Sequence, residues 1–176
     1  MEIIKIRVVK NSSWTHEYIR KEVEKAFQEF RRQFQVGYKI IEIKEWKPIR
    51  FPTYILNFLP FKKKMFDIVI NLLMKKLWKI KKEDTEIIIG FSGKLKIRHK
   101  ETFGYTDSKG YIIIGVCRIP HSYTILHEVG HCFGAEDKDG TGIRSVMNSK
   151  ETKTCYDFDD ENRAIILKVL SNRSHN

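Results

Sequence analysis

Two histidines four residues apart, with a glutamate between them, occur at His127-Glu128-Val129-Gly130-His131. If both imidazoles are to face one point, this segment must be helical, because positions i and i+4 of an α-helix lie one above the other. Zinc takes imidazole nitrogens at about 2.0–2.1 Å in a tetrahedral shell, and two such histidines supply half of it. Glu128 sits one step round the helix, offset from the ligand pair and placed to accept a proton from a zinc-bound water. Leu126, Val129 and Phe133 make the buried side of the same helix. Five residues with three fixed identities arise by chance, so the flanking sequence has to carry the rest.

Gly134 follows His131 by three residues and Asp137 follows by three more. A glycine there can take φ > 0 and end the helix sharply, letting the chain turn back with a third ligand. Asp137 is the candidate; Glu136 and Asp139 lie in the same polar loop and could serve instead. A rival geometry draws the third ligand from the last helix, at Asp160 or Glu161. Carboxylate oxygen is an ordinary zinc ligand at about 2.0–2.2 Å, and two-histidine, one-carboxylate shells occur in catalytic sites. Further on, Ser145-Val146-Met147-Asn148 offers Met147 as an apolar floor beneath a metal. His16, His99, His121 and His175 have no partner at ligand spacing and read as surface or loop residues.

The remaining pattern suits one domain, since 176 residues can bury a core without staples. Residues 2–9 alternate as a strand, with Ile4, Ile6 and Val8 on one face against Lys5 and Arg7. Asn11-Ser12-Ser13 starts a helix that runs to about residue 35. Its apolar stripe is Ile19, Val23, Ala26, Phe27, Phe30 and Phe34, and Gly37 is its stop. Residues 38–46 are a second strand. Residues 65–80 form a mostly apolar helix with a narrow polar stripe, expected to be buried on most sides. Residues 85–91 read as a central strand, 103–106 and 111–116 as a hairpin-like pair, and about 158–170 as a closing helix begun by Asp157 or Asp159. The class is α/β or α+β: a mixed sheet with helices packed on it.

HEVGHCFGAED followed by SVMN resembles the long zinc-binding consensus and Met-turn of the metzincin metallopeptidases, and the element order is nearest that of adamalysin and matrixin catalytic domains. The resemblance implies a twisted, mixed five-stranded sheet, an active-site helix, a Met-turn and a C-terminal helix. It also implies an upper subdomain of about 1–134 and a lower one of about 135–176. Carried over residue by residue, His127, His131 and Asp137 bind one Zn2+, Glu128 is the base, and Met147 underlies the metal. Phe103, Gly104, Tyr105 and Thr106 become the edge strand that pairs with an extended substrate. Two departures stand out. The third ligand is an aspartate where histidine is usual, which lowers the site's net charge from +2 to +1. No segment before the first strand could serve as a propeptide, so latency is expected to be managed differently or by a segment absent from this chain.

The function expected is therefore zinc-dependent endopeptidase activity on peptide or protein substrates. The formal charge of +11 keeps an alternative open: a nucleic-acid-binding or nucleoprotein-associated protein whose zinc is structural or vestigial. Lysine runs at 62–64, 75–76 and 81–82 motivate it, but no nucleic-acid-binding motif supports it, and a solvated lysine-rich surface accounts for the same charge. A membrane-associated peptidase using residues 51–80 is a third reading. No tract is apolar enough to span a bilayer, the N-terminus lacks a secretory signal, and the three cysteines are expected reduced in a cytoplasmic protein.

Overall fold

The computed structural model of the chain describes residues 3–48, 62–80, 83–93, 104–107, 109–115, 120–140, 142–148 and 155–173. Phe103, His99, His175, Cys117 and Lys81-Lys82 lie outside the described residues, as do the side chains of Lys62-Lys63-Lys64. The architecture is a mixed α/β fold with a five-stranded, mostly parallel sheet and four helices.

The first unit is strand, helix, strand. Strand β1 (Ile3–Lys10) leads into helix α1 (His16–Phe34), which returns the chain to β2 (Gly37–Glu45) parallel to β1. The apolar stripe of α1 is buried as its spacing predicts, from Ile19 to Phe34. Its ends differ from the sequence reading. Thr15, not the Asn-Ser-Ser cluster, caps the start by accepting a hydrogen bond from the Tyr18 amide at 3.2 Å. Asn11 instead closes a local turn on the Ser13 amide at 3.1 Å. At the other end Gln35 itself adopts the left-handed conformation (φ 56°), and Gly37 already belongs to β2.

Helix α2 (Lys62–Trp78) precedes β3 (Ile87–Gly93), which lies between β1 and β5 (Tyr111–Gly115) and is parallel to both. Strand β4 (Gly104–Thr106) runs antiparallel to β5 at one end of the order β2-β1-β3-β5-β4. Helix α3 (His121–Cys132) and helix α4 (Asp160–Arg173) complete the chain.

The sheet is covered on both faces. Ile4, Ile6, Val8, Ile89, Ile112 and Ile114 pack with α1, α3 and α4 in the larger core. Val9, Ile88, Tyr111 and Ile113 point to the opposite face, where Trp46 and the Val69, Leu73 and Leu77 side of α2 cover them. Double coverage explains why the alternation of β1 is incomplete: Arg7 is buried, paired with Glu42 and Asp84 and donating to Thr85 Oγ1 at 3.2 Å. Helix α2 buries one face rather than most sides, leaving Ile68, Leu72 and Trp78 exposed. Cys132 is half-buried at the margin of the larger core, not inside it. Among the described residues, no helix is long and apolar enough to cross a membrane.

Candidate metal centre

Helix α3 carries the site, and it is anchored at its start from a distance. Pro120 occupies the cap and offers no side-chain acceptor. Glu22 of α1 supplies one instead, its carboxylate accepting from the Ser122 amide at 2.7 Å. A carboxylate at a helix N-terminus satisfies an orphan amide and opposes the helix dipole favourably. His121 stands at this end, buried, with Nδ1 2.7 Å from the Tyr18 hydroxyl. It is a packed residue rather than a surface one, and burial pushes its pKa down.

The other end of α3 closes on Gly134, whose φ is +85°. The Gly134 amide reaches His131 O at 3.0 Å and the Ala135 amide reaches Gly130 O at 3.0 Å, a Schellman closure that reverses the chain. The reversal brings Asp137 back over the helix. Its Oδ1 lies 3.3 Å from His127 Nε2 and 3.4 Å from His131 Nε2, and the two Nε2 atoms are 3.2 Å apart.

These three distances test the fit of a metal. Donor atoms about 2.0–2.1 Å from a tetrahedral centre stand about 3.3–3.4 Å from one another, so the separations match the edges of one face of a zinc coordination tetrahedron. The tautomers agree with this. His127 Nδ1 donates to Val146 O at 2.9 Å and His131 Nδ1 to Ala135 O at 2.8 Å. A carbonyl can only accept, so both Nδ1 atoms carry hydrogen and both Nε2 lone pairs are directed at the shared point. Among the described residues, His127, His131 and Asp137 are the one group of three potential ligands gathered in this way.

The loop that carries Asp137 is held by Asn162, a residue that sequence spacing did not single out. Asn162, fully buried on α4, clamps the Glu136 peptide from both sides: its Oδ1 accepts from Glu136 N at 2.7 Å and its Nδ2 donates to Glu136 O at 3.1 Å. Asp159, at the start of α4, in turn accepts from Asn162 Nδ2 at 2.8 Å and from Ser145 Oγ at 2.7 Å. Glu161 is paired with Lys138, and Glu136 is fixed through its backbone.

Met147 is fully buried, and its sulfur packs against the back of α3 at Gly130, where a Cβ would come within 2.8 Å of it. The Met147 carbonyl accepts from the Lys138 amide at 2.9 Å, tying the methionine segment to the Asp137 loop. The Tyr156 hydroxyl lies 3.0 Å from Ser122 Oγ, near the start of α3.

Glu128 is buried on the flank of α3 facing β4. Burial pushes its carboxyl above the usual range, against the opposing pull of His127, the Thr106 hydroxyl and His131. Burial also pushes the His127 imidazole down, but the Asp137 hydrogen bond, the Glu128 charge and the Val146 carbonyl outweigh it, and its pKa ends above the ordinary value. The hydrogen bond from His127 holds the Asp137 carboxyl below its own, against some burial. Two imidazole nitrogens and one carboxylate oxygen converge, with a buried carboxyl beside them, an arrangement that could hold a cation.

Neither a protein-family model nor a curated protein sequence matches the chain. Solved structures do. The fold is similar to that of a zinc-dependent peptidase from Methanocorpusculum labreanum strain Z, with a TM-score of 0.56 and 14% sequence identity over 92% of this chain and 99% of that one. It is also similar to a chain in the structure of a chaperone–substrate complex, with a TM-score of 0.55 and 12% identity; the match spans 96% of this chain but 35% of that one. The class defined by fold and site is thus a mixed α/β protein sharing its architecture with a zinc-dependent peptidase and carrying a His/His/Asp group able to hold a metal.

Proposed function

We propose that this chain is a zinc-dependent endopeptidase of the metzincin type, in which His127, His131 and Asp137 hold the metal and Glu128 is the general base. The observation that carries the reading is the convergence of three donor atoms 3.2–3.4 Å apart, with both imidazoles presenting Nε2. Met147 is read as the methionine of the Met-turn and Gly134 as the helix-ending glycine. The chain is read as one metallopeptidase domain over 1–176, with the upper part ending near 134 and the lower part beginning near 135.

Zinc bound at this site would supply Lewis acidity toward the scissile carbonyl and the attacking water. The protein's own residues do the rest. Glu128 takes the proton of the attacking water and returns it to the leaving amine, a task suited to a buried carboxyl with a raised pKa. Strand β4, the last in the sheet order, offers its outer edge to an extended peptide, with Tyr105 exposed along it. With one anionic ligand, Asp137, a dication held here would carry a net charge of +1 and would polarise the attacking water less than in a three-histidine shell.

The test is Glu128→Ala, with zinc content and cleavage of a mixed peptide library measured together. Zinc retained at one equivalent with cleavage lost supports the assignment. Undiminished cleavage refutes Glu128 as the base, and wild-type protein that cleaves equally well after complete chelation refutes the metallopeptidase reading.

A further inference from the structure

We propose that Gly104 and Thr106 of β4 form a seat that fixes the Glu128 carboxyl, making Thr106 a positioning residue for the base. The role in catalysis rests on the reading of Glu128 as general base; the seat itself does not.

Residues two apart on a strand face the same side, and here that side is α3. The Thr106 hydroxyl donates to Glu128 Oε2 and lies 3.3 Å from the Glu128 backbone carbonyl. Two positions away, a Cβ on Gly104 would fall 2.3 Å from Glu128 Oε1, 2.7 Å from its Cγ and 2.8 Å from its Cδ. The carboxyl therefore lies directly on the strand backbone, in space that any side chain at 104 would fill. Tyr105, between them, points the other way and is 40% exposed. The strand is itself anchored, with Gly104 opposite Ile114 and Thr106 opposite Ile112 of the buried β5.

A glutamate has three side-chain torsions, and an unrestrained one samples several rotamers whose freedom must be given up to fix the carboxyl. The seat removes that freedom in advance. One carboxylate oxygen is taken by Thr106 and the other is directed by the glycine gap, so the base is aimed before a substrate arrives. The strand that would hold the substrate is then the same strand that aims the base, through the two residues that flank Tyr105.

The experiment compares wild type, Thr106→Val, Thr106→Ser and Glu128→Ala. In the zinc-loaded protein, Thr106→Val should lower kcat for peptide cleavage by about tenfold to a hundredfold, the range expected when a reacting group is misplaced by an ångström. KM and zinc content should stay unchanged, and Thr106→Ser, which keeps the hydroxyl, should restore most of the loss. An unchanged kcat in Thr106→Val overturns the positioning role. A second measurement needs no activity: a double-mutant cycle of Thr106→Val and Glu128→Ala on the urea midpoint of the chelated protein. The seat predicts that the midpoint shift caused by Thr106→Val largely disappears in the Glu128→Ala background; equal shifts in both backgrounds overturn the seat. If wild-type zinc protein cleaves no peptide, the base reading and Thr106's catalytic role fail together, and the cycle alone decides the seat.

Discussion

Replacing Gly130 by alanine sets two known effects against each other. Gly130 lies inside helix α3, and glycine in a helix interior is less stable than alanine by about 0.5–1 kcal/mol. Propensity alone would make Gly130→Ala stabilising. The packing argues the reverse. A Cβ at 130 would stand 2.6 Å from Phe158 Cε1 and 2.8 Å from Met147 Sδ. Ordinary carbon contacts lie at about 3.5–4.0 Å, so both neighbours would have to retreat by about 1 Å. Neither has room: Met147 is 0% exposed and Phe158 3%, and the Phe158 amide is held by Gln33 Oε1 at 2.9 Å. Overpacking of a filled core costs about 1–3 kcal/mol. Two simultaneous clashes place the cost at about 2–3 kcal/mol, so after the helix gain the net loss is about 1–2.5 kcal/mol, which for a domain of this size lowers Tm by about 2–10 °C. Thermal unfolding of chelated wild type and variant by circular dichroism measures it. In a double variant with Met147→Ala, which removes one of the two clashing groups, the combined loss should fall short of the sum. An unchanged or higher Tm in Gly130→Ala would refute the close packing of Met147 against helix α3.

Other consequences can be measured alongside. Asn162→Ala frees the Glu136 peptide and with it the loop bearing Asp137; zinc affinity measured by competition with a chelating dye should fall about tenfold to a hundredfold, as for outer-shell residues elsewhere, while Leu167→Ala, half-exposed on the same helix, leaves it unchanged. Glu22→Ala removes the acceptor for the Ser122 amide, and a loss of about 1 kcal/mol in urea unfolding is expected, the usual worth of a helix cap. The pH dependence of the chelated protein has a defined sign. His127 is raised above 6.5, so its contribution is complete below that pH and is lost as pH rises through the folded value; Asp137 is depressed below 3.8, so its contribution is complete above that pH and is lost as pH falls through its folded value. The His127–Asp137 pair therefore contributes most between about pH 4 and 6.5, and the Tm advantage of chelated wild type over Asp137→Asn should be largest there and shrink toward alkaline pH. An advantage that grows as pH rises would contradict the assigned shifts.

How much of this was legible beforehand follows the physics of each signal. The stripe of α1 and the central strand β3 were readable because periodicity reports which face of an element is buried. Periodicity does not report what covers a face, so the second core beneath α2, and with it the burial of Arg7, could not be read. The stop of α1 fell on Gln35 rather than Gly37 because a non-glycine residue took the left-handed conformation, against the usual preference. At the site, His127, Glu128, His131 and Asp137 announce themselves by close spacing on one helix and its turn. Glu22, Thr106 and Asn162 do not, since they lie 100, 22 and 26 residues from the groups they hold. Nothing local distinguishes Asn162 from any other asparagine near a helix start. Thr106 lay within the segment read as a substrate edge, but its contact with Glu128 depends on how β4 is laid beside α3.

The most direct measurement of the central claim is zinc K-edge X-ray absorption on the purified protein, together with metal stoichiometry. One zinc per chain is predicted, bound by two imidazole nitrogens and oxygen ligands at about 2.0–2.2 Å, with one oxygen lost from the shell in Asp137→Ala. A sulfur-containing shell, or one left unchanged by that substitution, would contradict it.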